Sequence, residues 1–243
     1  MKTHANETVT RPDSTDSQQA ADNRVNENTL AQVYLQPIAA PSILGLYGFA
    51  AATFIVAAHL AGWYGGSTTL EYLFPFAAVF GGIAQFIAGM WAYKARDGLA
   101  TAMHGMWGSF WVGFGLLELL FATGTLTEPS GAFPALGYWF IALAAITVAG
   151  AIAATAENLG LVSVLGTLAA GSVLLAVGFL VGSGSLLIIG GWVLLLSAVL
   201  AYYTASALMF EGVFGRKVLP VGEMQKAPEI NKGAGEPGVT QGQ

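Results

Sequence analysis

Between residues 42 and 210 the chain repeats one pattern: an apolar stretch about twenty residues long, a short polar break, then another such stretch. Six stretches result, approximately over 42–64, 72–93, 99–121, 134–155, 160–182 and 186–210. As an α-helix rising ~1.5 Å per residue, each is long enough to cross a hydrocarbon layer of about 30 Å. Their length, and the lack of strict alternation within them, exclude the strands of a membrane barrel. The breaks are short: KARD around Lys94–Asp97, a turn at Glu157–Gly160, and GSGS at Gly182–Ser185, whose glycines permit a sharp reversal. The pattern predicts an all-α, polytopic membrane protein, a six-transmembrane-helix bundle over 39–221. A disordered N-terminal tail is expected over 1–38 and a flexible C-terminal tail over 222–243.

Charge adds an orientation. Of the nine Lys and Arg residues, Lys2, Arg11 and Arg24 precede the first span, Lys94 and Arg96 follow the second, and Arg216, Lys217, Lys226 and Lys232 follow the sixth. With six spans all nine fall on one side, so the positive-inside rule predicts a multi-pass plasma-membrane protein with both termini in the cytoplasm. No apolar core follows a basic start at the N-terminus, so the opening segment does not read as a signal peptide. Trp63, Tyr64, Tyr72, Tyr93 and Tyr138 stand near span ends, at the expected level of interfacial aromatics.

Candidate chemistry is sparse. Charged residues are only 9% of the chain, and there is no cysteine, which removes thiolate catalysis and Cys-based metal sites together. Three scattered histidines have no partner at metal-binding spacing, and no lysine lies at mid-span to form a Schiff base. An enzyme, a cofactor, a metal site and a nucleic-acid partner are therefore not expected. Glu118 falls near the outer end of the third span, Glu157 in an inner turn and Glu211 near the inner end of the sixth, so no acid is expected at the midplane. What remains at depth is weakly polar, chiefly Thr53 and Gln85, the latter in GGIAQFIAG. His59 and His104 stand toward span ends, where packing roles are the more economical reading.

Three separated stretches carry a resemblance: APSILGLYGF at 40–49, GGIAQFIAGMWAYK at 81–94 with WGSFW at 107–111, and FGRKVLPVGE at 214–223. In order and spacing they resemble the acetate uptake transporters, the bacterial acetate/succinate–proton symporter family of six-span membrane proteins. The resemblance implies a homo-hexamer with a pore in each protomer, pinched by an apolar constriction that falls here on Phe49, Trp107 and Leu168. The residues agree in one respect. Each of the three lies about eight residues from the inner end of an outward-running span, or ~12 Å, and Gln85 on the inward-running second span shares that level. An apolar ring with an amide nearby resists protons and inorganic ions while a small carboxylate or its neutral acid can pass. Gln85 and Thr53 are then candidate carboxylate contacts, and His59, matching a histidine of some members, is a candidate for protonation at the outer mouth. The chain departs from the family pattern at Ala40 for Asn, Ile43 for Pro, Trp107 for Tyr and Ala92 for Glu.

These observations make acetate and related short carboxylates the expected substrates, moved with protons or as the protonated acid. Two alternatives stay open: a pore for small neutral solutes such as urea, amides or water, and a non-transporting membrane sensor or scaffold.

Overall fold

A computed structural model of the chain describes residues 38–66 and 68–224. The chain divides into two compact units, 1–39 and 40–243. Almost all of the first lies outside the described residues, as do 225–243, so the two expected tails are not described. Among the described residues of the second unit six helices are long and apolar enough to cross a membrane: α1 (Pro41–Leu60), α2 (Thr69–Ala95), α3 (Gly98–Ala122), α4 (Pro134–Ala154), α5 (Leu159–Val181) and α6 (Gly184–Phe214). They match the six predicted spans, with α6 running four residues past its expected inner end. The protein is an all-α, multi-pass membrane protein.

Local sequence sets where the helices begin. Pro41 and Pro134 occupy the first turns of α1 and α4, where the missing N–H costs no hydrogen bond. Asp97, Asn158 and Ser183 cap α3, α5 and α6, their side chains accepting from Ala100 N (2.8 Å), Leu161 N (2.9 Å) and Leu186 N (3.5 Å). The KARD turn closes on Arg96 with φ of 55°, and α5 ends on Gly182 in the same left-handed region.

Each helix packs on its neighbours in sequence, and α6 returns to pack on α1, so the six close into a ring. The face that carries the start of α1 and the end of α6 is called here the terminal face, the opposite one the far face. Tyr47 Oη and Ser206 Oγ, 2.9 Å apart, join α1 to α6, and Ser197 Oγ donates to Val164 O across α6 and α5 at 2.9 Å. The outside of the ring is apolar and exposed, as at Phe80, Ile83, Ile152 and Val199, the surface that hydrocarbon covers.

The departure from regular helix is in α2. Its middle, Ala78–Ala84, is a π-helical turn, three residues after Pro75. Proline removes one intrahelical hydrogen bond, and a π turn re-routes those around it. The backbone there and just after it lies close against its neighbours. A methyl group on Gly48 of α1 would strike the Phe80 carbonyl, and one on Gly108 of α3 would stand 2.6 Å from Phe86 N. Glycine at these contacts is what lets α1, α2 and α3 approach so closely. Gln85 is the first residue after the π turn.

Candidate functional site

Two cavities lie inside the ring of helices. The terminal cavity holds about 460 Å³ of empty space, including what opens to solvent, and runs from Ser42, Asp97 and Glu157 up to Phe49, Trp107 and Leu168. The far cavity holds about 1110 Å³ and runs from Trp107 and Leu168 out to Glu118, Glu128 and Pro129. Trp107 and Leu168 line both. They stand where the two spaces meet.

These residues come from the three helices whose first turns lie on the terminal face. Phe49 is eight residues into α1, and Trp107 and Leu168 are each nine into α3 and α5, which brings them to one depth of roughly 12–14 Å. All three are 2–3% exposed. The Phe49 and Trp107 rings meet edge to face with centroids 6.2 Å apart, and Phe110 braces Trp107 from the next turn at 5.4 Å. The indole is also fixed by its polar edge: Trp107 Nε1 donates to Thr147 Oγ1 of α4 at 3.0 Å, and that hydroxyl donates to Leu143 O at 2.7 Å. Phe49 lines the terminal cavity alone.

The two expected carboxylate contacts are separated by this ring of side chains. Gln85 lines the terminal cavity and Thr53 the far one. Thr53 is one turn beyond Phe49 on α1, which carries it past the ring. One small molecule in one cavity therefore meets one of them and not both. His59 lines neither cavity; it is half-buried at the far end of α1, with Nδ1 3.2 Å from Tyr64 O and its ring edge-on to Tyr64.

Among the described residues four buried side-chain N or O atoms have no hydrogen-bond partner: Thr53 Oγ1, Gln85 Oε1, His104 Nδ1 and Trp111 Nε1. Their side chains divide evenly, Gln85 and His104 lining the terminal cavity and Thr53 and Trp111 the far one. A buried polar group without a partner costs about 1–3 kcal/mol, so such groups collected around a cavity point to something polar that enters it. His104 and Trp111 carry no sequence motif of their own. Only their spacing from Trp107, one helical turn to either side, places them next to the ring.

The terminal face is finished by the segment after α6. Leu159 N donates to Gly222 O at 2.8 Å and Gly160 N to Val221 O at 2.9 Å, which binds the segment to the start of α5. Tyr203 Oη donates to Pro220 O at 2.8 Å, and Lys217 pairs with Glu223, whose hydrogen bond and charge hold the ammonium pKa above its ordinary value. The FGRKVLPVGE stretch is thus a strap that holds the α4–α5 turn, and with it Glu157, at the mouth of the terminal cavity.

Comparison with known proteins gives one consistent result. The model of the GPR1/FUN34/yaaH family matches residues 23–226. The Succinate-acetate/proton symporter SatP of Escherichia coli strain K12 is 30% identical over 192 residues, which are 76% of this chain and 96% of that protein. An uncharacterized protein of Methanothermobacter thermautotrophicus is 27% identical over 185 residues, 74% of this chain and 89% of its own. Among solved structures, that of the bacterial acetate channel SatP superposes with a TM-score of 0.70 at 27% identity, covering 76% of this chain and 100% of that one.

Proposed function

Because the chain belongs to the GPR1/FUN34/yaaH family of membrane proteins, we propose that it transports acetate and related short carboxylates across the plasma membrane. Phe49, Trp107 and Leu168 form the gate. The observation that carries this reading is the meeting of two cavities at Trp107 and Leu168, with Phe49 set against the indole. An apolar constriction holds no continuous file of water, which keeps inorganic ions and free protons from crossing. Acetate differs from those ions in having a methyl group, which can enter the ring while the carboxyl group stays with polar atoms on one side.

The names of the relatives, a succinate-acetate/proton symporter and an acetate channel, support the substrate class. The substrate's own carboxyl is the simplest proton carrier: an acid that crosses in neutral form takes one proton with it, and no protein acid at the midplane is needed. Gln85 meets the carboxyl on the terminal side of the gate and Thr53 on the far side. His59, tied to the end of α1, is assigned only a role in proton exchange at the outer mouth. Both termini face the cytoplasm in this proposal, supported by Lys94, Arg96, Arg216 and Lys217, which all fall on the terminal face. The protein is a transporter and not an enzyme, and it works as a homo-hexamer with one pore per protomer, as the family resemblance implies.

The test is uptake of labelled acetate into proteoliposomes of the purified protein, with and without an inward proton gradient. Uptake stimulated by the gradient and competed by succinate is the expected result. Uptake indifferent to the gradient would make the protein a passive carboxylate channel, and absence of acetate flux through folded protein would overturn the reading and favour small neutral solutes.

A further inference from the structure

The transport reading leaves one side chain of the terminal cavity without a role. His104 lies on α3 one turn before Trp107, ~4.5 Å nearer the terminal face, and is 5% exposed. Its imidazole lies over Gly45 of α1: a Cβ built on that glycine would stand 2.5 Å from Cε1, 2.5 Å from Nδ1 and 2.6 Å from Cδ2. Near-equal distances to three atoms around the ring mean that its face covers Gly45. The two nitrogens then point along the ring plane and not into α1. Nδ1 has no partner, and neither has Gln85 Oε1 on α2, which is 2% exposed. Both side chains line the terminal cavity.

Two unsatisfied groups of this kind around one small space are chemically specific. A neutral imidazole offers one donor and one acceptor, and a carboxamide offers both as well. A carboxylic acid has one O–H to give to Gln85 Oε1 and one C=O to receive from a protonated His104 Nδ1, whereas a carboxylate has two accepting oxygens and nothing to give to Oε1. We propose that His104 and Gln85 together form a carboxyl-binding station on the terminal side of the gate, with His104 determining specificity for an acid over an isosteric apolar molecule. The proposal rests on the carboxylate-transport reading. A carboxyl group held there directs the remainder of the molecule, a methyl in acetate, at Phe49, Trp107 and Leu168. The first turns of α1, α3 and α5 share the terminal face with the last turns of α2, α4 and α6, so the partial charges of the helix ends offset one another there. The charged groups facing it are Asp97, which already caps α3 through Ala100 N, and Glu157 in the α4–α5 turn. Packing alone does not account for His104. A phenylalanine ring would cover Gly45 equally well and would leave no nitrogen unpaired.

The experiment is an acetate titration of the full-length protein with labelled histidine, followed by NMR, alongside His104→Phe. The chain has three histidines, so the signals are few. One imidazole is expected to shift saturably with acetate, that signal to vanish in His104→Phe, and the variant to bind acetate at least about tenfold more weakly. Gln85→Leu should then weaken binding further by much less than it does in the wild-type background, since both groups hold the same carboxyl. Acetate binding by the wild-type protein with no histidine responding, or a His104→Phe affinity within about twofold of wild type, would overturn the station and leave the transport reading intact. If the wild-type protein binds no acetate, the transport reading fails and the station with it. Should His104→Phe not fold, the histidine signals of the wild-type protein decide alone.

Discussion

The two cavities differ in more than size. The terminal one, about 460 Å³, is walled by aliphatic side chains such as Leu46, Val164 and Leu165, with Gln85 and His104 among them. The far one, about 1110 Å³, is walled by rings, including Phe110, Phe114, Phe140 and Phe179, and its acids Glu118 and Glu128 stand toward the exit. A cavity with two unsatisfied polar groups on its wall can orient a small acid against them. A wide aromatic space with a hydroxyl and an indole N–H can collect apolar or neutral molecules but gives them less to align against. Under the proposed function, discrimination is therefore expected to be concentrated in the terminal cavity, with the far cavity as an antechamber. Between them stand Trp107 and Leu168, which line both, with Phe49 against the indole on the terminal side.

The largest expected effect comes from removing that distinction. Trp107→Ala deletes the larger of the two side chains that line both cavities and should join them into one channel. The ratio of succinate to acetate uptake in proteoliposomes should rise by about tenfold or more, because a four-carbon acid no longer has to pass the indole. The same substitution costs stability, about 3–5 kcal/mol for an aromatic truncated in a packed interior, so thermal unfolding in detergent must be followed in parallel. Unchanged succinate-to-acetate selectivity in folded protein would remove Trp107 from the gate.

A second pair of substitutions sharpens the contrast between the two sides. Gln85→Leu should weaken acetate binding about tenfold, the equivalent of about 1.4 kcal/mol for one hydrogen bond to a charged or acidic group. Thr53→Val, nearly isosteric, should weaken it less than about threefold, since the far cavity holds the acid loosely. Equal losses from both would mean that the two cavities bind alike and that the antechamber reading is wrong. Isothermal titration with acetate measures both.

Much of this architecture is legible in the sequence, and the parts that are not share a cause. The spans follow from runs of apolar residues, and the common depth of Phe49, Trp107 and Leu168 follows from counting residues along helices that start on one face. Counting along a helix gives depth only. It cannot say that Thr53, a turn past Phe49, belongs to a different cavity from Gln85, because that depends on where three helices converge. The π turn at Ala78–Ala84 has no local signature beyond Pro75 and the Gly81–Gly82 pair. It packs against Gly48 of α1 at Phe80 and against Val112 of α3 at Gly82, which are distant in sequence. The strap after α6 is visible as a motif, yet its role depends on hydrogen bonds to residues some sixty positions earlier, at Leu159 and Gly160. His104 reads as a helix-end packing residue until Gly45 is seen beneath it and a cavity beside it.

The smallest effect concerns how firmly the boundary between the cavities is held. Trp107 is oriented by a hydrogen bond to Thr147 Oγ1, and that hydroxyl in turn donates to Leu143 O. Thr147 is itself fully buried, so nothing but the protein can replace it. Thr147→Val keeps the shape and takes away the acceptor, leaving Trp107 Nε1 buried without a partner at a cost of about 1–3 kcal/mol. The indole can recover part of that cost by turning toward a cavity, which opens the ring intermittently without emptying it. Succinate uptake relative to acetate should then rise by about two- to threefold, well short of the Trp107→Ala effect, with a modest loss of thermal stability. A loss of stability with no change in selectivity would mean that Phe49 and Phe110 alone hold the indole in place, and that its hydrogen bond serves the fold and not the gate.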